Sequence, residues 1–206
     1  MWCHLSQPVL GVGVQSGKKP GKTTQRKLWN GSILSDLCLE PPKPERQANP
    51  SCFVDLFITK ERPMFFSKRD GKTYFDVLAL PTQLRRWFGQ PFLRARVLCT
   101  ALRCSLQQLS KLVDDLGSHV LTPTTKLFLV SCVWPMGFGW SSAVAQSNSV
   151  FLCEASGIPR DAIICPEHPW PKFDELIAFI ATDDTIIGAR DKVKGLAATE
   201  SLEDTF

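Results

Sequence analysis

The chain has no long hydrophobic run. Its most apolar stretch, LFLVSCVWPMGFGW, is fourteen residues long and contains Pro and Gly. A bilayer-spanning helix needs about 20 apolar residues, so no integral membrane span is expected. A mean hydropathy of −0.04 agrees. The N-terminus lacks a basic n-region, and PVLGVGV is a poor apolar core for a leader. No secretory signal is therefore expected, and the chain reads as intracellular, nuclear or cytoplasmic, with no membrane partner. Charge of one sign is not in large excess either. Lys and Arg number 24 against 20 Asp and Glu, and the net charge of +4 permits a polyanionic partner without requiring one. No internal repeat is visible.

What is present suits a globular fold. The 206 residues, 44% hydrophobic and 21% charged, are enough for one domain with a real core and too few for two comfortable ones. Eight cysteines in a chain without a leader read as reduced thiols rather than a disulfide framework. Cys99, Cys132 and Cys153 sit among apolar neighbours, where Cys acts as a small hydrophobe. Cys165 and His168 have a ligand-like spacing in ICPEHPW, but only Cys153 is near enough to add to them. A zinc site needs two more ligands, so this stretch reads as a Pro-rich loop.

Residues 1–50 read as a poorly structured basic and Pro-rich segment: GKKPGKTTQRK and LEPPKPERQANP have no apolar period. Residues 51–190 carry the expected domain. CFVDLFI and PMFF read as short strands, and KTYFDVLAL as a further apolar run. CSLQQLSKLVDDLG puts Leu106, Leu109, Leu112, Val113 and Leu116 on one helical face, with Gly117 as a stop. TKLFLVSCVW reads as a buried strand, and SSAVAQSNSVFLCEASG as a serine-started helix ending at Gly157. DELIAFIATDDTIIGAR reads as strand, tight turn and strand. Residues 191–206 read as a polar tail. Helices mix with hairpins rather than alternating in βαβ units, so the fold class is α+β.

Near the N-terminus, SGKKPGKTT approximates a phosphate-binding P-loop. That loop needs G-x-x-x-x-G-K-S/T, so that successive backbone N–H groups wrap the phosphates. Counting back from Gly21-Lys22-Thr23, the first glycine position holds Ser16, and Gly17 is one residue too close. The following TQRKLWNGS is a weak helix, so a P-loop NTPase remains only a minor alternative.

Three other segments belong together. In WPMGFGWSSAVAQ a strand leads through a Pro-Met-Gly turn into a helix. FIATDDTIIG places Asp183 and Asp184 side by side in a turn between apolar segments, where repulsion and desolvation oppose ionisation unless a cation or solvent relieves them. In KRDGKTYFDVLALPTQLRRWF, Asp70 is followed by Phe75 five residues on, Leu80 ten, Leu84 fourteen and Trp87 seventeen. Asp55 and Asp76 do not reproduce that spacing. SKRDGKTYF also reads as a hairpin with Asp-Gly at a type I′ turn.

The first segment resembles motif B of reverse transcriptases, with Pro135, Met136, Gly137, Phe138, Ser141, Ser142 and Gln146 at matching offsets. The second resembles their motif C, with Gly188 at the family's following glycine, and the Asp70 segment resembles motif A. The three occur in the family's order over roughly residues 60–190. The resemblance implies a palm-like antiparallel sheet with packed helices, incomplete fingers and no thumb. It implies an RNA-directed DNA polymerase of retroelement type, acting on an RNA or DNA template–primer and deoxynucleoside triphosphates. Asp70 and Asp183 would be principal metal ligands and Asp184 an auxiliary one, holding two Mg²⁺ or Mn²⁺ ions about 3.5–4 Å apart. Phe75 would face the sugar, and Met136 and Gly137 would line the nucleotide or template. Lys68, Arg69, Lys72, Arg85 and Arg86 could contact phosphates.

The chain also departs from that family. Ala181 stands where an aromatic is often found, and no basic fingers strand is recognisable in residues 1–50. Only about twenty residues follow Asp184. The expectation is therefore a palm-centred fragment whose catalysis is open, with a non-catalytic, decayed nucleic-acid-binding remnant as the alternative.

Overall fold

In a computed structural model the described residues are 2–3, 13–18, 25–71, 74–114, 116–172 and 174–205, with side chains described from residue 30 onward. In chain order the elements are β1 (Trp2–Cys3), β2 (Gly13–Lys18), β3 (Gln25–Asn30), α1 (Ser32–Asp36), β4 (Phe65–Asp70), α2 (Tyr74–Val77), α3 (Thr82–Arg85), β5 (Leu93–Arg94), α4 (Ala95–Leu102), α5 (Leu106–Ser110), β6 (Lys126–Leu129), α6 (Gly139–Ala155), β7 (Ile163–Ile164), β8 (Leu176–Ala181), β9 (Asp184–Ala189) and α7 (Lys192–Thr205). The class is α+β, as expected. Backbone contacts divide the chain into two units, Met1–Glu40 with Phe75–Gly139 and Pro41–Tyr74 with Trp140–Phe206. Neither is a continuous segment like the 51–190 block expected from composition.

The second unit is built on a four-stranded sheet in the order β4-β9-β8-β7. β8 and β9 form the hairpin read from DELIAFIATDDTIIGAR, and β4 pairs antiparallel with β9. β7 pairs parallel with β8, so the sheet is mixed rather than wholly antiparallel. The loop joining these parallel neighbours carries Trp170, which packs beside Phe179 at 6.4 Å between ring centres.

β8 is buried on both faces, which explains its near-continuous apolar run. Ala178 and Ile180, with Ile187 of β9, pack against Val150 and Cys153 of α6 and Leu202 of α7. Ile177 and Phe179 face the other way, toward Cys52, Met64 and Leu56. Burial there pushes the Cys153 thiol up to about 12, which keeps it protonated.

Several local expectations change. CFVDLFI is not a strand. Pro50–Phe53 is a 3₁₀ turn capped by Asn49, and Phe53 stacks on Phe179 with ring centres 4.3 Å apart. The Pro-rich stretch before it is ordered by polar contacts rather than an apolar face. Arg46 donates to the Ile163 carbonyl at 2.9 Å, and the Ala48 N–H to that of Ile180 at 2.7 Å. The expected polar tail is the helix α7. Its small and polar residues meet the sheet: Gly195 comes so close to Ala189 that a Cβ would sit 3.0 Å from it, and Thr199 is buried.

The first unit holds the β2–β3 hairpin and a separate sheet in the order β1-β6-β5. Its core joins Ala95 and Leu98 of α4, Leu109 of α5 and Leu127 of β6. α5 starts with the reciprocal Ser105–Gln108 capping box but stops at Ser110, short of the helix expected to Gly117. Asp114 beyond it would sit at the negative end of a longer helix dipole.

Candidate carboxylate site

The paired aspartates sit where β8 turns into β9. Ala181 and Asp184 close a two-residue hairpin whose turn residues are Thr182 and Asp183. Thr182 has φ 61°, while Asp183 is not in the positive-φ region. That is the type II′ pattern, which normally places Gly at the first position. A β-branched residue there is strained and persists only where its surroundings over-determine it.

Helix α6 supplies the constraint. The Thr182 N–H donates to Gln146 Oε1 at 2.7 Å, and Ser149 Oγ donates to the Thr182 carbonyl at 2.5 Å. Gln146 and Ser149 are both buried, and Gln146 Nε2 also donates to the Arg46 carbonyl at 3.0 Å. On the other side, the Gly71 N–H donates to the Asp183 carbonyl at 2.9 Å.

That bond continues the β4–β9 ladder to the turn. Asp70 is the cross-strand partner of Asp184. Such partners have Cβ atoms about 4.5–5.5 Å apart on one face of a sheet. The sheet therefore brings Asp70, Asp183 and Asp184 to one end of adjacent strands. Asp70 is exposed, and Asp183 and Asp184 are half-buried. The type I′ reading of Asp70-Gly71 fails, since β4 pairs with β9 and Gly71 has no positive φ.

Lys68 shares that face, two residues before Asp70. Its Nζ lies 2.9 Å from Asp184 Oδ1. The hydrogen bond and charge of Asp184 raise the Lys68 pKa; burial opposes them, and the charges of Asp70 and Asp183 add lesser raising effects. Among the described residues, no three His, Cys, Asp or Glu side chains form a group that could hold a metal ion. That statement covers Cys165 and His168 as well as the aspartates.

Tyr74 anchors the chain just beyond β4. It is buried, and its hydroxyl donates to the Ala145 carbonyl at 3.2 Å, accepts from Asn148 Nδ2 at 2.8 Å and lies 2.8 Å from Ser149 Oγ, whose proton goes to the Thr182 carbonyl. Burial raises its pKa, and the Ser149 and Asn148 hydrogen bonds oppose that only in part. The phenol therefore stays protonated. Tyr74, Ser149 and Thr182 were not singled out in the sequence. Their signal lies in polar side chains interrupting apolar runs: one Tyr after Asp70, and SNS inside a helix with buried alanines.

The remaining expected residues lie in the first unit. Phe75 is half-buried, and Met136 and Gly137 are exposed in a turn closed by the Phe138 N–H on the Pro135 carbonyl at 3.2 Å. Gly137 has φ 101°, a conformation that glycine permits. Phe138 packs edge-on against Phe88 with centres 5.0 Å apart.

Of the expected phosphate-contacting cations, Lys68 faces Asp184, and Arg69 lies 2.7 Å from Glu203. Arg85 lies 3.3 Å from Asp114, and Arg86 sits over the Trp87 ring. Lys72 is outside the described residues, as are Gly21, Lys22 and Thr23 of the P-loop reading. Gln25–Asn30 is a strand paired with Gly13–Lys18, whereas a P-loop requires a helix after its Lys-Thr.

No protein-family model matches the chain, and no curated protein matches it. No helix among the described residues is long and apolar enough to cross a membrane.

Proposed function

We propose that the chain is a palm-like domain of a retroelement-type RNA-directed DNA polymerase, with Asp70, Asp183 and Asp184 as its carboxylate site. One observation carries this reading: Asp70 and Asp184, far apart in sequence, are direct cross-strand partners beside the Asp183 turn. Like charges directly opposed on a sheet are destabilising, and here one of the two, Asp184, is paired with Lys68.

Carboxylate oxygens are the donors a hard divalent cation takes. Mg²⁺ keeps several waters and is commonly held by one or two carboxylates together with substrate phosphates, so a closed protein cage is not required. Asp70 and Asp183 would be the principal ligands and Asp184 the auxiliary one. When bound, a pair of such ions would activate a primer 3′-hydroxyl and neutralise the departing pyrophosphate. Gln146, Ser149 and Gly71 then serve as positioning residues, fixing the turn that carries Asp183.

Primer extension on an RNA template with Mg²⁺ or Mn²⁺ and deoxynucleoside triphosphates tests the reading. Extension by the wild-type chain and its loss in Asp183→Asn are the expected results. Extension that survives Asp183→Asn would overturn the assigned site.

A second reading is a palm-fold remnant that binds nucleic acid without catalysis. Lys68 favours it, because an ammonium already neutralises Asp184. It predicts salt-dependent binding of template–primer with no extension.

A further inference from the structure

We infer that Cys99 and Cys104 form a reactive dithiol, a covalent-modification site that reacts with small anionic disulfides and closes into a reversible Cys99–Cys104 bridge at the end of α4. The pair lies within the first unit and does not depend on the carboxylate-site reading.

The pairing follows from how α4 stops. The Cys104 N–H donates to the Cys99 carbonyl at 3.0 Å, and the Arg103 N–H to that of Thr100 at 3.4 Å. Those are the two nested bonds of a Schellman motif, with Arg103 in the left-handed conformation at φ 51°. A contact between the side chains at its first and last positions commonly accompanies the motif. Here these are Cys99 and Cys104, and the Cys99 thiol is hydrogen-bonded to Cys104. Glycine is the usual residue at the left-handed position, and a residue with a Cβ holds it only where its surroundings fix it. Both thiols pack against the core of Ala95, Leu98, Leu109 and Leu127, which holds the pair in place. Both are free cysteines.

Access and charge select the reagent. Both cysteines are half-buried, and the residues between them, Thr100 to Arg103, are exposed. Residues 91–113 carry Arg94, Arg96, Arg103 and Lys111 with no Asp or Glu, a field that favours an anionic reagent. Burial, the Cys104 charge and the hydrogen bond to Cys104 raise the Cys99 pKa, so Cys99 keeps its proton while Cys104 reacts. The Cys104 thiolate attacks one sulfur of the small disulfide, expels the other as a thiolate and is left in a mixed disulfide. Cys99 then loses its proton and attacks Cys104 Sγ. The second small thiolate leaves, and the Cys99–Cys104 bond forms. Two protein thiols are oxidised, one small disulfide is reduced to two thiols, and the two released protons end on the expelled thiolates.

Incubating the reduced full chain with oxidised glutathione, folded and in urea, then alkylating free thiols and digesting with trypsin, tests this. Trypsin cuts after Arg96, Arg103 and Lys111, so a Cys99–Cys104 bridge joins residues 97–103 to residues 104–111 in one fragment. That joined fragment, free of glutathione, is expected as the main product, with the loss of two alkylatable thiols and their return on reduction. Its ratio to glutathione-bearing Cys104 should be about tenfold higher in the folded chain than in urea, the gain from holding two reactants in position. Cys99→Ser should keep glutathione on Cys104 as a stable adduct, with thermal melts before oxidation showing that this variant is folded. If it is not, the wild-type fragment alone decides.

Retention of all eight thiols by the folded wild-type chain overturns the inference. A bridge between other cysteines in place of the joined fragment, or a wild-type chain that stops with glutathione on Cys104, overturns it too, because either shows that Cys99 and Cys104 do not meet. A ratio no higher in the folded chain than in urea assigns the bridge to short sequence spacing alone, and the helix end then has no part in it.

Discussion

Gln146 accepts the Thr182 amide hydrogen at 2.7 Å and donates through its other amide atom to the Arg46 carbonyl at 3.0 Å. One fully buried side chain thus ties the aspartate turn to the segment that runs along the edge of β8. Gln146→Ala would leave both backbone groups without these partners and open a void beside them. A buried unsatisfied polar group costs about 1–3 kcal/mol, so a loss of about 2–4 kcal/mol is expected in urea denaturation. Gln146→Glu should recover part of it, since a carboxylate still accepts from Thr182. If the alanine variant unfolds at the wild-type midpoint, Gln146 is not holding the turn.

Thr182 is the strained partner in that arrangement. For a residue with a Cβ, the left-handed region costs about 1–2 kcal/mol relative to ordinary backbone. Thr182→Gly removes that strain but loosens the unfolded chain by about 0.4–1 kcal/mol. The two nearly cancel, so Thr182→Gly is expected to match or slightly exceed wild type in stability. Thr182→Pro, whose ring fixes φ near −65° and removes the N–H that Gln146 binds, should destabilise strongly. A large loss in the glycine variant would show that the Thr182 side chain, rather than the backbone, matters.

Legibility in the sequence followed the type of signal. The β8–β9 hairpin and α6 were legible because apolar segments bounded by a polar turn or by serine and glycine are local signals. The pairing of Asp70 with Asp184 was suggested only by the resemblance of three segments to the motifs of a known family, because no local period reports which strand will adjoin which. The ordered segment before Pro50 was not legible, since backbone and Arg46 hydrogen bonds hold it without an amphipathic pattern. α7 was missed for a related reason. Its contacts with the sheet use Gly195 and Thr199 along with Leu202, and small or polar residues leave no apolar stripe.

A buried carboxylate away from the aspartate turn sets an expected acid response. Asp174 lies between two arginines. Arg190 Nη2 donates to its Oδ2, and Arg62 Nη2 to its Oδ1 at 2.5 Å. Burial works to raise its pKa, but the hydrogen bond and charge of Arg190 and the charge of Arg62 together hold it below the ordinary carboxylate value. A depressed folded-state pKa gives stability that is present above the unfolded value of about 3.9 and lost as pH falls through the folded value. Unfolding at pH 7 and below pH 4 should therefore show a fall on acidification that Asp174→Asn reduces. At pH 7 the variant should lose about 3 kcal/mol or more, because the largely buried Arg190 is left without its counter-charge. An unchanged acid response in Asp174→Asn would assign that fall to other carboxylates.

The last helix makes a separate claim on the fold. Leu202 is fully buried among Val150, Ile180 and Ile187, and Ser67 Oγ meets Thr199 Oγ1 at 2.6 Å where α7 crosses β4. Leu202→Ala should cost about 2–5 kcal/mol, the range for a leucine deleted from a packed core. Exposed Val193 provides the control, since Val193→Ala removes apolar surface that was already in water. Denaturation midpoints of the two variants distinguish a docked helix from a polar tail. A docked helix gives a large loss at Leu202 and almost none at Val193, whereas a tail gives no loss at either.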